Sequence, residues 1–425
     1  MAVMSRLRTR VVALTRQRMF GLIYVGLGLL SLVLFLQDTT SDELSTLGVN
    51  TTNSVQLVKL PDIVVPVQLA VWILSILVIA LGIYQIVRQP GRTGWLLGLV
   101  SLVFIGAFLV WAARGTSFSL IGILAATLTL ATPILLGALS GILCERSGVV
   151  NIAIEGIMLG SAMISVLVAN LTGSILLGFV AGILLGALLG AWHAVMSIRF
   201  KMDQIISGTV INIFATGLTS YLNQSILQVQ ENLNTQVTFP LMSQIIPGSG
   251  KIPILGPLLF DQSPVVWMAL ILLVVVQVAL FRTRWGLRTR AVGEHPRAAD
   301  TLGIKVLRTR YINVILGGMM AGLGGVYFTL GAVGRFDKLM TGGRGFIALA
   351  AMIFGNWTPT GAFASSLIFG FTDALQVKLQ ILIGQVNIPS EFLLMLPYIA
   401  TMVVLVGLVG RATPPAADGQ PYEAE

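Results

Sequence analysis

Twelve apolar runs separated by short polar stretches make up most of this 425-residue chain. They fall near 19–36, 63–87, 94–112, 120–143, 149–169, 174–198, 204–222, 264–281, 311–333, 345–357, 359–383 and 391–410. A helix needs about 20 apolar residues to cross a hydrocarbon core, and all but one of the runs come near that length. The pattern predicts an all-α, polytopic helical membrane protein. The polar stretches differ in charge. Arg6, Arg8, Arg10, Arg16 and Arg18, then Arg88 and Arg92, then Arg199 and Lys201, then Arg282, Arg284, Arg288, Arg290, Arg297, Lys305, Arg308 and Arg310 all fall at even crossings. An excess of Lys and Arg marks cytoplasmic loops, so both termini are expected inside. The opposite loops agree: 37–62 carries Asp38, Asp42, Glu43 and Asp62 against Lys59 alone, and 223–263 is rich in Asn and Gln. No small-residue cleavage site follows the first run, which reads as a retained anchor. The last stretch, RATPPAADGQPYEAE (411–425), has no apolar period and is expected to be disordered.

The tenth run, GFIALAAMIFGNW, is too short for a comfortable span and is preceded by Gly342 and Gly343. Broken segments in matching slots of two halves point to transporters built from inverted repeats. The first half offers a counterpart in GVVNIAIEGIMLG (148–160), which follows another break, CERSG. Runs three to seven and eight to twelve then form two inverted repeats of about five segments, with an N-terminal helix pair added. Asn151 and Glu155 are four apart, which would place them on one helix face. An intramembrane carboxylate is a candidate for the translocation path or its gate, and Glu155 could equally pair with Arg146 near the surface. Asn212 is the third candidate for the path, with a helix-to-helix hydrogen bond as its plainer role.

Composition narrows the chemistry. Mean hydropathy is +0.91, and only 10% of residues are charged, as in helical membrane proteins. The net charge of +9 is spread between apolar runs, so it reads as topology and not as a nucleic-acid surface. Cys144 is the single cysteine, and His193 and His295 are far apart, which leaves no disulfide and no metal site. PGSGKIP resembles a phosphate loop, but Ile245 stands where that motif needs Gly and Ile252 where it needs Ser or Thr. Ser140 has no base within reach, since His193 lies at the far end of run six. No catalytic residue and no cofactor are expected, and energy has to come from another subunit. The competing class is an ion-gradient-driven secondary transporter or channel. That class buries ionisable residues for coupling, for which only Glu155 and Asp373 stand out here, and it leaves loop 282–310 without a role.

AVGEHPRAADTLGI (291–304) lies in that loop and crowds Glu294, His295, Arg297 and Asp300 together. Each charge would cost about 2.5–3.5 kcal/mol at the bilayer centre, so the stretch faces water or a protein. Pro296 suits a first helical turn, Ala298 and Ala299 favour helix, and Gly303 suits its end. The loop resembles the coupling helix of permeases from the ribose, galactose and nucleoside branch of ABC importers. Ala291, Val292, Gly293, Ala298, Ala299, Gly303 and Ile304 fill that family's pattern. SGVVNIAIEGIMLGSAM and GGRGFIALAAMIFGNWTPTGAFASSLIFG resemble the same family, and the resemblance covers about 94–410. The form ERSGVVNIAIEGIML is similar to the nucleoside (simple sugar) permeases, and ribose permeases carry an Asp-Leu-Ser run instead.

The resemblance implies a transport subunit, not an enzyme, that moves nucleosides or simple sugars across a bacterial cell membrane by alternating access. It implies a cytoplasmic ABC ATPase docked at Gly293, Glu294, His295, Pro296, Arg297, Ala298, Ala299, Asp300 and Gly303. It also implies a second permease subunit, in a homodimer or heterodimer, and an extracytoplasmic substrate-binding lipoprotein. A headgroup-binding basic face is the alternative for the loop. Arg335, Asp337, Lys338 and Arg344 are expected on the outer side, where they could meet the binding protein, and Asp373 and Lys378 are expected to be structural or outward-facing. The chain then divides into 1–93, the basic N-terminus and extra helix pair; 94–410, the permease core with coupling loop 282–310; and 411–425, the tail.

Overall fold

In lipid a helix satisfies its backbone within one segment, and the apolar runs fold accordingly. The computed structural model describes residues 15–37, 39–40, 42–49, 61–90, 94–115, 117–382, 395 and 412–423. Its helices are α1 (Arg16–Leu36), α2 (Val67–Arg88), α3 (Gly94–Ala112), α4 (Leu120–Glu145), α5 (Ile154–Thr172), α6 (Ile175–Ala194) and α7 (Gln204–Leu222). After a short turn α8 (Met242–Ile245) come α9 (Pro264–Arg282), α10 (Arg284–Glu294), α11 (Pro296–Thr301), α12 (Val306–Val326), α13 (Arg344–Phe354) and α14 (Pro359–Leu382). Among the described residues, nine helical segments are long and apolar enough to cross a membrane. Run 391–410, apart from residue 395, lies outside the described residues.

Stretch 37–62 and its neighbours hold a feature that the apolar pattern does not announce. Strands β1 (Leu44–Gly48), β2 (Ile63–Pro66) and β3 (Ser117–Ser119) form a three-stranded sheet in the order β2-β1-β3. β1 pairs antiparallel with β2, Leu44 opposite Pro66, and parallel with β3, Thr46 opposite Ser117. Strands of three to five residues give too few alternations to read, so pairing with distant partners decides this sheet. α3 packs with the added helix pair through Phe20, Tyr24, Val78, Leu97, Val100 and Val103. It also reaches α4 and α14 through a cluster holding Val110, Ile123 and Leu375. α3 therefore bridges the two parts expected to divide at residue 93.

The main core surrounds α4, against which α9, α12, α13 and α14 pack. Pro133 sits inside α4 and lacks the N–H that would reach the carbonyl four residues back. That carbonyl, Thr129 O, instead accepts from Tyr327 Oη at 2.8 Å, so the break in α4 also anchors the wide turn Tyr327–Val333 after α12. α6 and α12 approach backbone to backbone: a Cβ at Gly186 would lie 2.4 Å from Gly318 O, and one at Gly318 would lie 2.3 Å from Gly186 O. Such close crossings are how small residues drive packing where no hydrophobic effect separates helix from lipid.

One expectation is corrected outright. Residues 412–423, read as part of a disordered tail, form turns that pack on the arginine-rich side of the molecule. Ala417 and Tyr422 are buried. Composition hid this because the partners are distant groups: backbone atoms of α10, the first turn of α12 and the end of α4.

Candidate functional site

Residues 148–153 enter the helical bundle without being helical, so each of their backbone groups needs an outside partner. Side chains from α6 and α7 supply them. Val150 N–H donates to Gln204 Oε1 at 2.6 Å, and Val150 O lies 2.9 Å from His193 Nε2. Facing a carbonyl, Nε2 must carry the proton, which leaves Nδ1 to accept from Ser207 Oγ at 3.0 Å. Asn212 spans the break: its Nδ2 donates to Ile152 O and its Oδ1 accepts from Gly156 N–H, both at 2.8 Å. The expected shared face of Asn151 and Glu155 is not formed. α5 begins at Ile154, so Asn151 precedes the helix; its Oδ1 accepts from Ala153 N–H at 3.1 Å and its Nδ2 points at Ser140 Oγ, 3.4 Å away.

Glu155 stands where two helix starts meet. α13 begins after Gly343, which has a φ of 80° and no side chain to cap the helix. The Glu155 carboxylate caps it from α5. Oε1 accepts from Gly343 N–H at 2.8 Å and Thr341 Oγ1 at 2.6 Å, and Oε2 accepts from Gly345 N–H at 2.6 Å. A helix N-terminus presents free N–H groups and about half a positive charge, so a single carboxylate serves two of them. The approach requires glycine at 345, where a Cβ would lie 2.6 Å from both Cα and N of Glu155.

Glu155 is not paired with Arg146, whose Nε donates to Trp357 O at 3.0 Å and whose Nη2 donates to Asn356 O at 3.3 Å. Arg344, expected on the outer loop beside Arg335 and Asp337, is instead the first residue of α13. Its Nη2 lies 3.6 Å from Asp373 Oδ2 in α14, and its guanidinium lies 5.8 Å from the Phe328 ring centre. Sequence reasoning missed this pair. The available signal was a single acid, Asp373, in a 24-residue helix.

A second cluster lies on the arginine-rich side. α11 begins at Pro296, and Gly303 has a φ of 78°, as the sequence suggested. Ala299 is buried, whereas Glu294, His295, Arg297, Ala298, Asp300 and Gly303 are exposed and Pro296 is half-buried. Gly293 is pressed against Arg146 O, 2.3 Å from where a Cβ would sit. Residues 412–423 lie along this loop. Ala416 N–H donates to Glu294 Oε2 at 3.2 Å, Ala417 N–H to Gly293 O at 2.9 Å, and Tyr422 Oη to Asp300 Oδ2 at 2.6 Å. Beneath them Glu145, buried at the end of α4, accepts from Trp357 Nε1 at 2.5 Å. Asp418 Oδ1 is buried with no N–H or O–H donor beside it, and the Glu145 carboxyl is its hydrogen-bonding neighbour. Two neighbouring buried acids disfavour each other's ionised form.

Burial pushes the Asp418 carboxyl up to about 6, against the lowering effects of Glu145, the Gly419 N–H and Arg310. A free aspartate loses its proton near pH 4, so docking of this segment takes up a proton. That contribution is complete below about pH 4 and is lost as pH rises through about 6. Lys201 holds the exposed Glu423 carboxyl below its usual value, so the contribution of that pair is lost only at lower pH. A nitroxide at Pro421→Cys is expected to gain mobility between pH 5 and 7.5, and Asp418→Asn should flatten the change. Cys144 is buried and does not compete for the label. Mobility independent of pH in the parent chain would contradict a raised Asp418 carboxyl.

Membrane-length helices, two interrupted segments joined through one carboxylate, and a charged helical loop at one end together define a multi-pass membrane transport protein. No residue cluster able to hold a metal occurs among the described residues. The chain belongs to the family described as branched-chain amino acid transport system / permease component, which it matches over residues 122–406; α1, α2, α3 and the small sheet precede that region. It is 40% identical over 307 residues to the guanosine ABC transporter permease protein NupQ of Bacillus subtilis, covering 71% of this chain and 96% of the relative. It is 40% identical over 312 residues to the nucleoside ABC transporter permease protein NupC of Lactococcus lactis, with the same coverage. A putative glucose ABC transporter permease protein of Haloferax volcanii, TsgC13, is 37% identical over 61% of this chain and 78% of its own length. No solved structure matches.

Proposed function

We propose that this chain is the permease subunit of an ATP-driven importer for nucleosides or simple sugars, with ATP hydrolysed on a separate subunit docked at α10 and α11. The observation that carries this reading is the 40% identity to two nucleoside permeases across 96% of their length. The arginine-rich loops then face the cytoplasm, both termini lie inside, and a substrate-binding lipoprotein delivers solute to the other side. A second permease subunit completes the pathway. The two interrupted segments occupy matching slots of two inverted repeats, and Asn151, Glu155 and Asn212 belong to the gate between them: Glu155 at the junction, Asn151 and Asn212 in the frame that holds it. The ATPase meets the exposed side of α11, where Arg297 and Ala298 lie beside Leu302, which is 82% exposed. An exposed leucine at the end of a charged helix fits an apolar groove with a polar rim.

Uptake of labelled nucleosides and pentoses, compared between a strain lacking this chain and one supplied with it, tests the reading directly. Uptake should return only when ATP hydrolysis is intact. Leu302→Asp and Arg297→Glu are each expected to lower uptake about tenfold or more, equivalent to about 1.4 kcal/mol of docking energy or more. The amount of inserted protein should not change. Undiminished uptake with the ATPase still bound in both variants would sink the docking assignment.

A further inference from the structure

We infer that residues 412–423 are a strap that transmits movement of the coupling loop to the broken helices, so that its residues are positioning elements for transport. This rests on the ATPase docking at α10 and α11 proposed above.

The strap touches every element through which such movement would pass. At one end Thr413 N–H donates to Asn356 Oδ1 at 3.2 Å, in the turn that ends α13. Ala417 O lies 3.0 Å, and Arg310 Nη2 2.8 Å, from where a Cβ at Gly148 would sit, at the start of the run leading into α5. Arg310, 2% exposed in the first turn of α12, donates from Nη1 to Gln420 O at 2.8 Å. At the other end Tyr422 is buried against Val292 of α10, Ala299 of α11 and Val306 of α12. The buried side of the coupling helix thus packs on the strap as well as on the bundle. Glu423 pairs with Lys201 and feels Arg297.

Two physical features make this a transmitting element and not a loose cover. Its hydrogen bonds use backbone groups at Ala416, Ala417 and Gln420, so the path of the chain itself is fixed. Arg310 and Glu145 are buried beneath it, and the strap turns Oδ1 of its own Asp418 inward toward them. Lifting the strap would leave those charges without their partners, which costs several kcal/mol when one member of a buried pair is removed. The coupling loop and the run preceding α5 therefore shift together through the strap more readily than either shifts alone.

The test uses the complete complex in proteoliposomes, with ATP hydrolysed and solute imported both counted per complex. A chain ending at Arg411 should still bind the ATPase and hydrolyse ATP, while uptake per complex falls at least fivefold and ATP spent per solute rises in proportion. Excess synthetic peptide spanning 412–425 should restore the ratio. Tyr422→Phe keeps the ring and loses the bond to Asp300, and is expected to raise ATP per solute about twofold at normal protein level. A merely structural role would lower the amount of complex and leave this ratio unchanged. If the shortened chain fails to insert, Tyr422→Phe and Arg310→Gln decide by the same ratio. An unchanged ratio in these variants overturns the strap, as does faster uptake, which would make the segment a brake. Loss of ATPase binding in the shortened chain overturns it in favour of a direct docking surface. Parent-chain uptake that needs no ATP overturns the importer reading itself, and the strap with it.

Discussion

Glu155→Gln lowers both the stability of the inserted protein and its uptake per molecule, because one carboxylate holds the starts of α5 and α13 together. Charge-assisted hydrogen bonds contribute about 1.5–3 kcal/mol each. Glutamine keeps one acceptor oxygen, but its amide N–H₂ then faces an N–H donor, either Gly345 or the Gly343 and Thr341 side. One such bond is lost when the amide faces Gly345 and two when it faces the other side, so the better orientation costs about 1.5–3 kcal/mol. Melting of the purified protein should fall clearly, and uptake normalised to inserted protein should fall about tenfold. Glu155→Asp retains the charge on a shorter arm and should lie between the two. A parent-like melting curve combined with altered uptake would show that Glu155 meets solute and does not hold the junction.

Gly345→Val is expected to break the junction between the starts of α5 and α13. Its Cβ would fall 2.6 Å from the Cα and N of Glu155 and 2.7 Å from Oε2. Overpacking usually costs about 1–3 kcal/mol when side chains can move aside. Here the obstacle is the backbone of a buried helix start, so the cost should exceed about 3 kcal/mol. Gly345→Val should yield little monodisperse protein in detergent, and Gly345→Ala an intermediate amount. Gly98→Ala, in α3 where nothing lies within 4 Å of the added carbon, should match the parent. Equal recovery of all three would mean that α5 and α13 do not approach at this glycine.

Both predictions depend on contacts between residues almost 190 positions apart, and this marks how far the sequence could be read. Apolar runs of bilayer length fixed the helices, because that signal is local: each run buries its own backbone polarity and requires no partner. Helix α11, proposed to meet the ATPase, was legible for the same reason, with Pro296 at its start, Gly303 past its end and Glu294, Arg297 and Asp300, which lipid would exclude. Glycines at 343 and 345 announced an interruption. They did not announce that Glu155 would cap the helix beyond it, since any of several polar groups could have reached those N–H groups. Placing Asn151 and Glu155 on one helix face failed because the helix starts at Ile154, six residues after the glycine break at Gly148, in a run held extended by Gln204, His193 and Asn212.

The sequence by itself determined the class of protein, the rough bounds of most of its described helices, and the loop suited to a partner. Each of these follows from hydrophobicity and charge, which act on a residue wherever the chain places it. Only the tertiary structure decided that Arg344 pairs with Asp373 and that a β-sheet closes the N-terminal part. It alone decided that a Pro- and Ala-rich segment becomes ordered. Alone in water, residues 412–423 bury too little to offset the entropy of ordering them. Against Val292, Ala299 and Val306, with Arg310 donating to Gln420 O, the same residues gain a pocket for Tyr422 and partners for their backbone.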